Sequence, residues 1–437
     1  MIEHLKYRKD LSLLFNPKTG NMIRLDDMGV EFYECLKSQN FNFEKTASKI
    51  SKEYNVEYEI VTEDLNEFIK DMNSNSHIDF DIEKRHNTKL SFPLRLEIEV
   101  TSLCNWNCGF CYNVWKIDPN LTDKEVKKQI KELPQKNLSK HEIFKVLDEA
   151  ERNGCFIVRY SGGETLLHPD IKEILEYGGK LGLHQIVFTN GHFINEDIIS
   201  LFKQNNVGTV LISLHGDKTT HNFLAGHKMA YDKAVNAIEL LSKNNIDVVT
   251  ELTLVKGNTE ILQSVLNDAY NRGSRHFSVM RYVPTGKDDE KYAVPYHEIP
   301  DLIHLLNKEM IQKKDLTVAW PCGQKMCISD VDKPITDMTD DFITLLDNQF
   351  TGSCESGITW GSISFDGHLR NCPHSNVYFG NVKDDSISVL WNNLTTEVLK
   401  VTSPREGCIG CNLLDKCKGG CHLKYFFDNN KSKNKAC

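Results

Sequence analysis

The chain has 437 residues, a formal net charge of −9 and 40% hydrophobic content, enough length for two or three domains and the composition of an ordinary soluble globular protein. The acidic balance leaves no footprint for nucleic acid or anionic lipid, and no apolar run approaches the ~20 residues of a membrane span. The charged opening MIEHLKYRKDLSLLF has no signal-peptide core, so a cytoplasmic protein with no nucleic-acid or membrane partner is expected. Fourteen cysteines in a reducing compartment point to metal ligands or redox groups rather than disulfides.

Residues 1–85 read as a unit of their own. LSLLFN meets MIRLD across Pro17-Lys18-Thr19-Gly20, which predicts a hairpin. Three helical patterns follow, VEFYECLKS, FEKTASKISKEY and VTEDLNEFIKDM, the last with Leu65, Phe68, Ile69 and Met72 on one face. The polar stretch Asn73 to Lys89 reads as a linker.

Residues 90–310 alternate strand and helix. The strands are LRLEIEV, CFIVRY, QIVFTN, TVLISLH, VVTELTLV and HFSVMRYV. The helix HEIFKVLDEAER can open with a capping box of Ser139 and Glu142. Six βα repeats imply an α/β fold with a parallel sheet, open or curled into a partial barrel, and working groups at the carboxyl ends of the strands. In the first strand Leu94, Leu96, Ile98 and Val100 alternate with Arg95, Glu97 and Glu99; the charged face belongs either to a polar lumen or to an exposed edge. Residues 311–437 are loop-rich, with the short strand signal ITWGSISF, and would have a weak core unless metals cross-link them.

Three thiolates on one loop, Cys104-x3-Cys108-x2-Cys111, can share one cluster and leave an iron open to a small molecule. With Phe110 and Tyr112 in place, and with the loop following the first strand of the repeat, the segment resembles the signature of radical S-adenosylmethionine enzymes. Ser161-Gly162-Gly163-Glu164 at the second strand's end is similar to that family's GGE motif. The resemblance implies that this motif meets the methionine amino group, glycines allowing close approach and a carboxylate answering an ammonium. It places Ser213 at the cofactor carboxylate or ribose, and Asn190, Arg281 and Tyr112 around the cofactor. His215, where many relatives have Asp, is read as a supporting histidine.

The seven cysteines Cys354, Cys372, Cys408, Cys411, Cys417, Cys421 and Cys437 resemble the SPASM extension of such enzymes, which binds two auxiliary clusters. By that resemblance one cluster takes Cys354, Cys372, Cys421 and either Cys322 or Cys327. The other takes Cys408, Cys411, Cys417 and Cys437, giving three 4Fe–4S clusters in all. Two zinc sites are the alternative. Cys35 and Cys155, in apolar runs, are expected as buried free thiols.

The N-terminal unit resembles the PqqD-like, winged-helix-like module that binds leader peptides beside radical enzymes acting on ribosomal peptides. The full architecture implied is therefore a leader-recognition domain (1–85), a partial (β/α)6 radical barrel (90–310) and a SPASM domain (311–437). The implied activity is crosslinking of a precursor peptide, with flavodoxin or ferredoxin as electron donor. A Lys–Trp carbon–carbon bond of the streptide type is favoured, since fully ligated auxiliary clusters leave no iron for a substrate thiolate. A Cys thioether and sulfatase maturation are the alternatives.

Overall fold

The computed structural model describes residues 2–73, 89–112, 137–283, 289–295, 298–320, 354–375, 377–401 and 421. Most of the expected linker, and Cys322, Cys327, Cys408, Cys411, Cys417 and Cys437, lie outside the described residues.

The N-terminal unit is a small antiparallel sheet followed by three helices. Strands β1 (Lys6–Arg8), β2 (Leu13–Phe15) and β3 (Met22–Arg24) pair in that order. The expected hairpin is β2–β3; β1 has only three residues, too few for a period to show in the sequence. Helix α1 (Asp27–Ser38) starts where Asp26 accepts from the Gly29 N–H at 2.7 Å, and Asn42 caps α2 (Phe43–Tyr54) in the same way. Helix α3 (Tyr58–Asn73) contributes Leu65, fully buried, with Phe68, Ile69 and Met72 packed beside it. Their common core is Leu14, Ile23, Phe32, Leu36 and Ile50.

The main sheet has nine strands. Six are parallel and adjacent in chain order: β4 (Arg95–Thr101), β5 (Ile157–Gly162), β6 (His184–Thr189), β7 (Val207–Ser213), β8 (Asp247–Leu254) and β9 (His276–Arg281). Between them run α4 (Lys140–Arg152), α5 (Ile171–Lys180), α6 (Glu196–Gln204), α7 (Lys218–Ala225), α8 (Ala230–Lys243) and α9 (Leu262–Asn271). The Ser139–Glu142 capping box is present at the head of α4. After α10 (Asp289–Tyr292) and α11 (Ile299–Gln312), β10 (Thr317–Ala319) extends the sheet beyond β9. At the other side β11 (Trp360–Ile363) pairs parallel with β4, and β12 (Leu369–Arg370) pairs antiparallel with β11. Helix α12 (Ile387–Val401) packs Leu390, Trp391 and Leu394 into the same core.

Glu97, Arg159, Phe188, Leu211, Glu251 and Ser278, one from each of β4 to β9, line a single cavity of about 290 Å³. On a flat sheet, six strands about 4.8 Å apart would spread those residues over about 24 Å, so the sheet curls around the cavity. The alternation in β4 then resolves. Leu96, Ile98 and Val100 pack under the helices, while Glu97 and Glu99 are buried on the lumen side. β4 is not an edge because β11 covers it.

The N-terminal unit sits on the amino ends of β4 to β7. Arg8, 3% exposed, donates to the carbonyls of Phe92 (2.6 Å), Pro93 (3.2 Å) and Gly154 (3.4 Å), just ahead of β4 and β5. Lys6 donates to the Leu181 carbonyl at 2.7 Å, and Phe15 stacks on Phe156 at 4.9 Å. The Pro17 carbonyl accepts from His184 Nδ1 (3.1 Å) and Asn206 Nδ2 (3.0 Å), at the starts of β6 and β7.

Candidate active site

The cysteine loop leaves β4 at its carboxyl end and is pinned by backbone. The last carbonyls of α7, which have no partner within the helix, accept from the loop: Asn107 N–H meets Ala225 O at 2.9 Å and Gly109 N–H meets Leu224 O at 3.1 Å. Trp106 is buried against His221, and the Phe110 and His215 rings meet at right angles, 4.9 Å between centroids. Cys104, Cys108 and Cys111 all open into the cavity. Burial, with Cys108 and Cys111 nearby, holds the Cys104 thiol well above its ordinary pKa.

The glycines at the end of β5 are set by close approach. Gly163 N–H donates to Thr101 O at 2.7 Å and Glu164 N–H to Leu103 O at 2.6 Å. A Cβ at Gly162 would lie 2.1 Å from Thr101 O, and one at Gly163 would lie 2.0 Å from Leu103 O. Gly162 also has φ +134°, a region side chains avoid. Both glycines line the cavity.

Glu164, expected at the cofactor's amino group, is held by its neighbours. Its carboxylate accepts from Thr189 Oγ1 (2.6 Å), Asn190 N (2.7 Å) and Leu166 N (3.1 Å), and it is not part of the cavity wall. Burial pulls its pKa up to about 7 against those hydrogen bonds. The group therefore braces the end of β6 and holds Asn190 at the cavity. Asn190 Nδ2 in turn donates to Asn105 Oδ1 at 2.8 Å, joining β6 to the cysteine loop.

Asn190, Ser213, Arg281 and Tyr112 all line the cavity. Tyr112 donates to Glu99 at 3.1 Å and packs on the His374 ring at 4.6 Å. His215, expected as a supporting residue, is in the cavity wall itself. Thr253 N–H donates to its Nδ1 at 3.1 Å, so the neutral ring carries its proton on Nε2; burial lowers its pKa to about 4.

The second cysteine group reaches the same cavity. Cys354, Cys372 and Cys421 line it together with Pro373 and His374. Burial, with Cys421 close by, raises the Cys354 thiol to about 11. Arg370 ties this wall to β4 through a buried ion pair with Glu99 and a 2.9 Å bond to Pro373 O. Cys35 and Cys155 are buried free thiols, away from the cavity.

Sequence reasoning did not find the lumen charges Arg159 and Glu251, nor the Arg370–Glu99 pair; the alternation in β4 hinted only at Glu97 and Glu99.

An all-thiolate donor set suits iron–sulfur clusters. Among the described residues no three His, Cys, Asp or Glu groups gather at the separations of a single-ion site. Cys104, Cys108 and Cys111 line one cavity near one another, and in a cluster each such thiolate meets its own iron. The residues fit the group.

Residues 98–269 match the family model of the radical SAM superfamily, and residues 12–78 match that of coenzyme PQQ synthesis protein D (PqqD). The chain thus carries a radical SAM domain and, ahead of it, a PqqD-like domain. The chain is 24% identical over 319 residues to sporulation killing factor maturation protein SkfB of Bacillus subtilis, covering 73% of this chain and 69% of that one. It is 23% identical over 363 residues to the antilisterial bacteriocin subtilosin biosynthesis protein AlbA of the same organism, covering 79% and 70%. Its fold is that of Streptococcus suis SuiB bound to S-adenosylmethionine, with TM-score 0.69, 19% identity and coverage of 98% and 96%. SuiB bound to precursor peptide SuiA superposes with TM-score 0.67, at 20% identity over 96% and 94% of the two chains.

Proposed function

We propose that this enzyme matures a ribosomally made precursor peptide by closing an intramolecular carbon–carbon bond between Lys and Trp side chains. The observation that carries the reading is that Cys104, Cys108 and Cys111 open into the same cavity as Cys354, Cys372 and Cys421. A hydrogen atom removed from one side chain and a bond closed onto another leave one proton and one electron to be taken up. A second redox group held by Cys354, Cys372 and Cys421 would give that electron a place to go.

Cys104, Cys108 and Cys111 would hold the first 4Fe–4S cluster. Cys354, Cys372 and Cys421, with Cys322 or Cys327, would hold one auxiliary cluster; Cys408, Cys411, Cys417 and Cys437 would hold the other. When bound, the first cluster and S-adenosylmethionine supply a 5′-deoxyadenosyl radical, using an electron from a flavodoxin or ferredoxin. The chain's own groups position and enclose. Gly162 and Gly163 would let the cofactor's methionine approach backbone, with Asn190, Ser213, Arg281 and Tyr112 around it.

The PqqD-like domain would bind the leader segment by strand addition. The flanking bonds Leu25 N to Ser12 O and Asn16 N to Asn21 O fix the alternation of the hairpin, so Ile23 faces β2 and the Met22 and Arg24 amides face the open edge. Met28, 60% exposed in the first turn of α1, offers an apolar contact just beyond that edge.

Anaerobically reconstituted enzyme with reductant and S-adenosylmethionine should release 5′-deoxyadenosine, and Cys104→Ala should abolish it. The peptide encoded beside this gene should lose the mass of two hydrogen atoms. A core without Lys or Trp would exclude the Lys–Trp bond, and fragmentation showing a Cys sulfur linkage would replace it with a thioether.

A further inference from the structure

The two ends of the curled sheet carry different tasks, and the distance between them is readable. The PqqD-like domain meets the barrel ahead of β4 to β7, through hydrogen bonds and ring contacts that include Phe92, Pro93, Gly154, Phe156, Leu181 and His184. The cavity's cysteine loop and glycines lie at the opposite, carboxyl ends of β4 and β5. From Phe156 to Gly163 the strand direction covers about 23 Å at 3.3 Å per residue. The domain is held in place, since swinging it away would strip three carbonyl partners from the buried Arg8 guanidinium.

Near the lumen's amino end the Arg95 guanidinium lies 5.3 Å from the centre of the Trp360 ring, and Arg159 lies 5.6 Å from that of Phe188. Arg159, Phe188 and Trp360 line the cavity and narrow this end of it. A peptide bound at the β3 edge that travels outside passes over a helix layer about 10 Å thick before it comes back in. The straight distance needs about seven extended residues and the detour about a dozen.

We propose that this enzyme selects its modification site by reach: the peptide residues that react must lie at least about seven residues, and for full turnover about a dozen, from the segment held at the β3 edge. This rests on the leader-binding reading of the PqqD-like domain. The partner is an extended peptide with a spacer free of fixed structure, and the domain acts as an anchor rather than a moving arm.

The test uses the reconstituted holoenzyme and the peptide encoded beside this gene. The spacer between its enzyme-bound segment and its core is set with Gly and Ser to about 4, 8, 12 and 16 residues. Affinity is read by fluorescence anisotropy and crosslinking by mass spectrometry. The expected result is a Kd constant within about twofold across the series, with product formation at least about tenfold lower at the shortest spacer than at the two longest. Parent-level turnover at the shortest spacer, with unchanged Kd, would overturn the reach rule and leave leader binding standing. Arg24→Pro, which removes an outward amide from the β3 edge at an exposed position, and Met28→Glu should each weaken binding of the parent peptide about tenfold. If both leave Kd unchanged, the leader is held elsewhere, and the anchor and the reach rule both fall.

Discussion

Replacing Gly163 by Ala tests how the cysteine loop is held. The new Cβ would sit 2.0 Å from Leu103 O and 2.4 Å from Leu103 C, where ordinary contact begins at 3.4 Å. One of the two backbones must yield by about 1.4 Å, the difference of those distances, because neither neighbour is a flexible side chain. The bonds Gly163 N to Thr101 O at 2.7 Å and Glu164 N to Leu103 O at 2.6 Å would then stretch to about 4 Å, beyond hydrogen bonding. Two lost bonds at about 1 kcal/mol each, with about 1–3 kcal/mol of overpacking strain, give about 3–5 kcal/mol. Leu103 directly precedes Cys104, so the displacement passes to the first cysteine, and an ångström of misplacement costs about 100-fold in rate. Release of 5′-deoxyadenosine and iron content are measured under anaerobic conditions. Gly257→Ala is the control, since its Cβ meets nothing within 4 Å. A Gly163→Ala enzyme within twofold of the parent would refute the close-approach account.

Cys354→Ala should lower iron by about one cluster, or four atoms, and stop crosslinking while 5′-deoxyadenosine is still released; full iron content would contradict its role as a ligand. Arg370→Met strands the buried Glu99 carboxylate and should cost about 3–5 kcal/mol, partly recovered by adding Glu99→Gln. An unchanged melting temperature in the single variant would show the pair is not structural. Glu251 is raised from 4.5 to about 7 by burial first and Glu97 second, with Arg159 opposing. It holds its proton more tightly folded than unfolded, so its ionisation costs stability as pH rises from about 4.5 through 7. Glu251→Gln should therefore melt higher than the parent near pH 8, by order 2 kcal/mol, and converge with it towards pH 4.5. A gap that widens on acidification would reverse the assignment.

Periodicity within one segment was enough to place β4 to β9 and the helices between them, because each element's buried face repeats along a few turns or pleats. The Ser139–Glu142 box was legible for the same reason, both partners lying within one turn. The triplet Cys104, Cys108 and Cys111 could be recognised because a single short loop holds all three.

What spacing along the chain does not encode is which distant surfaces meet. Ser362 of β11 pairs with Glu97 of β4 across most of the chain, and that pairing turns the charged face of β4 from a possible edge into a lumen. Hydrogen-bond satisfaction, which depends on neighbours in space, set Glu164 against Thr189, Asn190 and Leu166. It also aimed the Nε2–H of His215 by placing Thr253 at its other nitrogen. The sequence by itself determined the parallel repeat and the thiolate chemistry, since both are written in residue type and local period. Only the tertiary structure decided that two cysteine groups share one chamber and that the PqqD-like domain stands at the far end from it. Those facts depend on the curl of the sheet and on where a buried Arg8 finds its carbonyls.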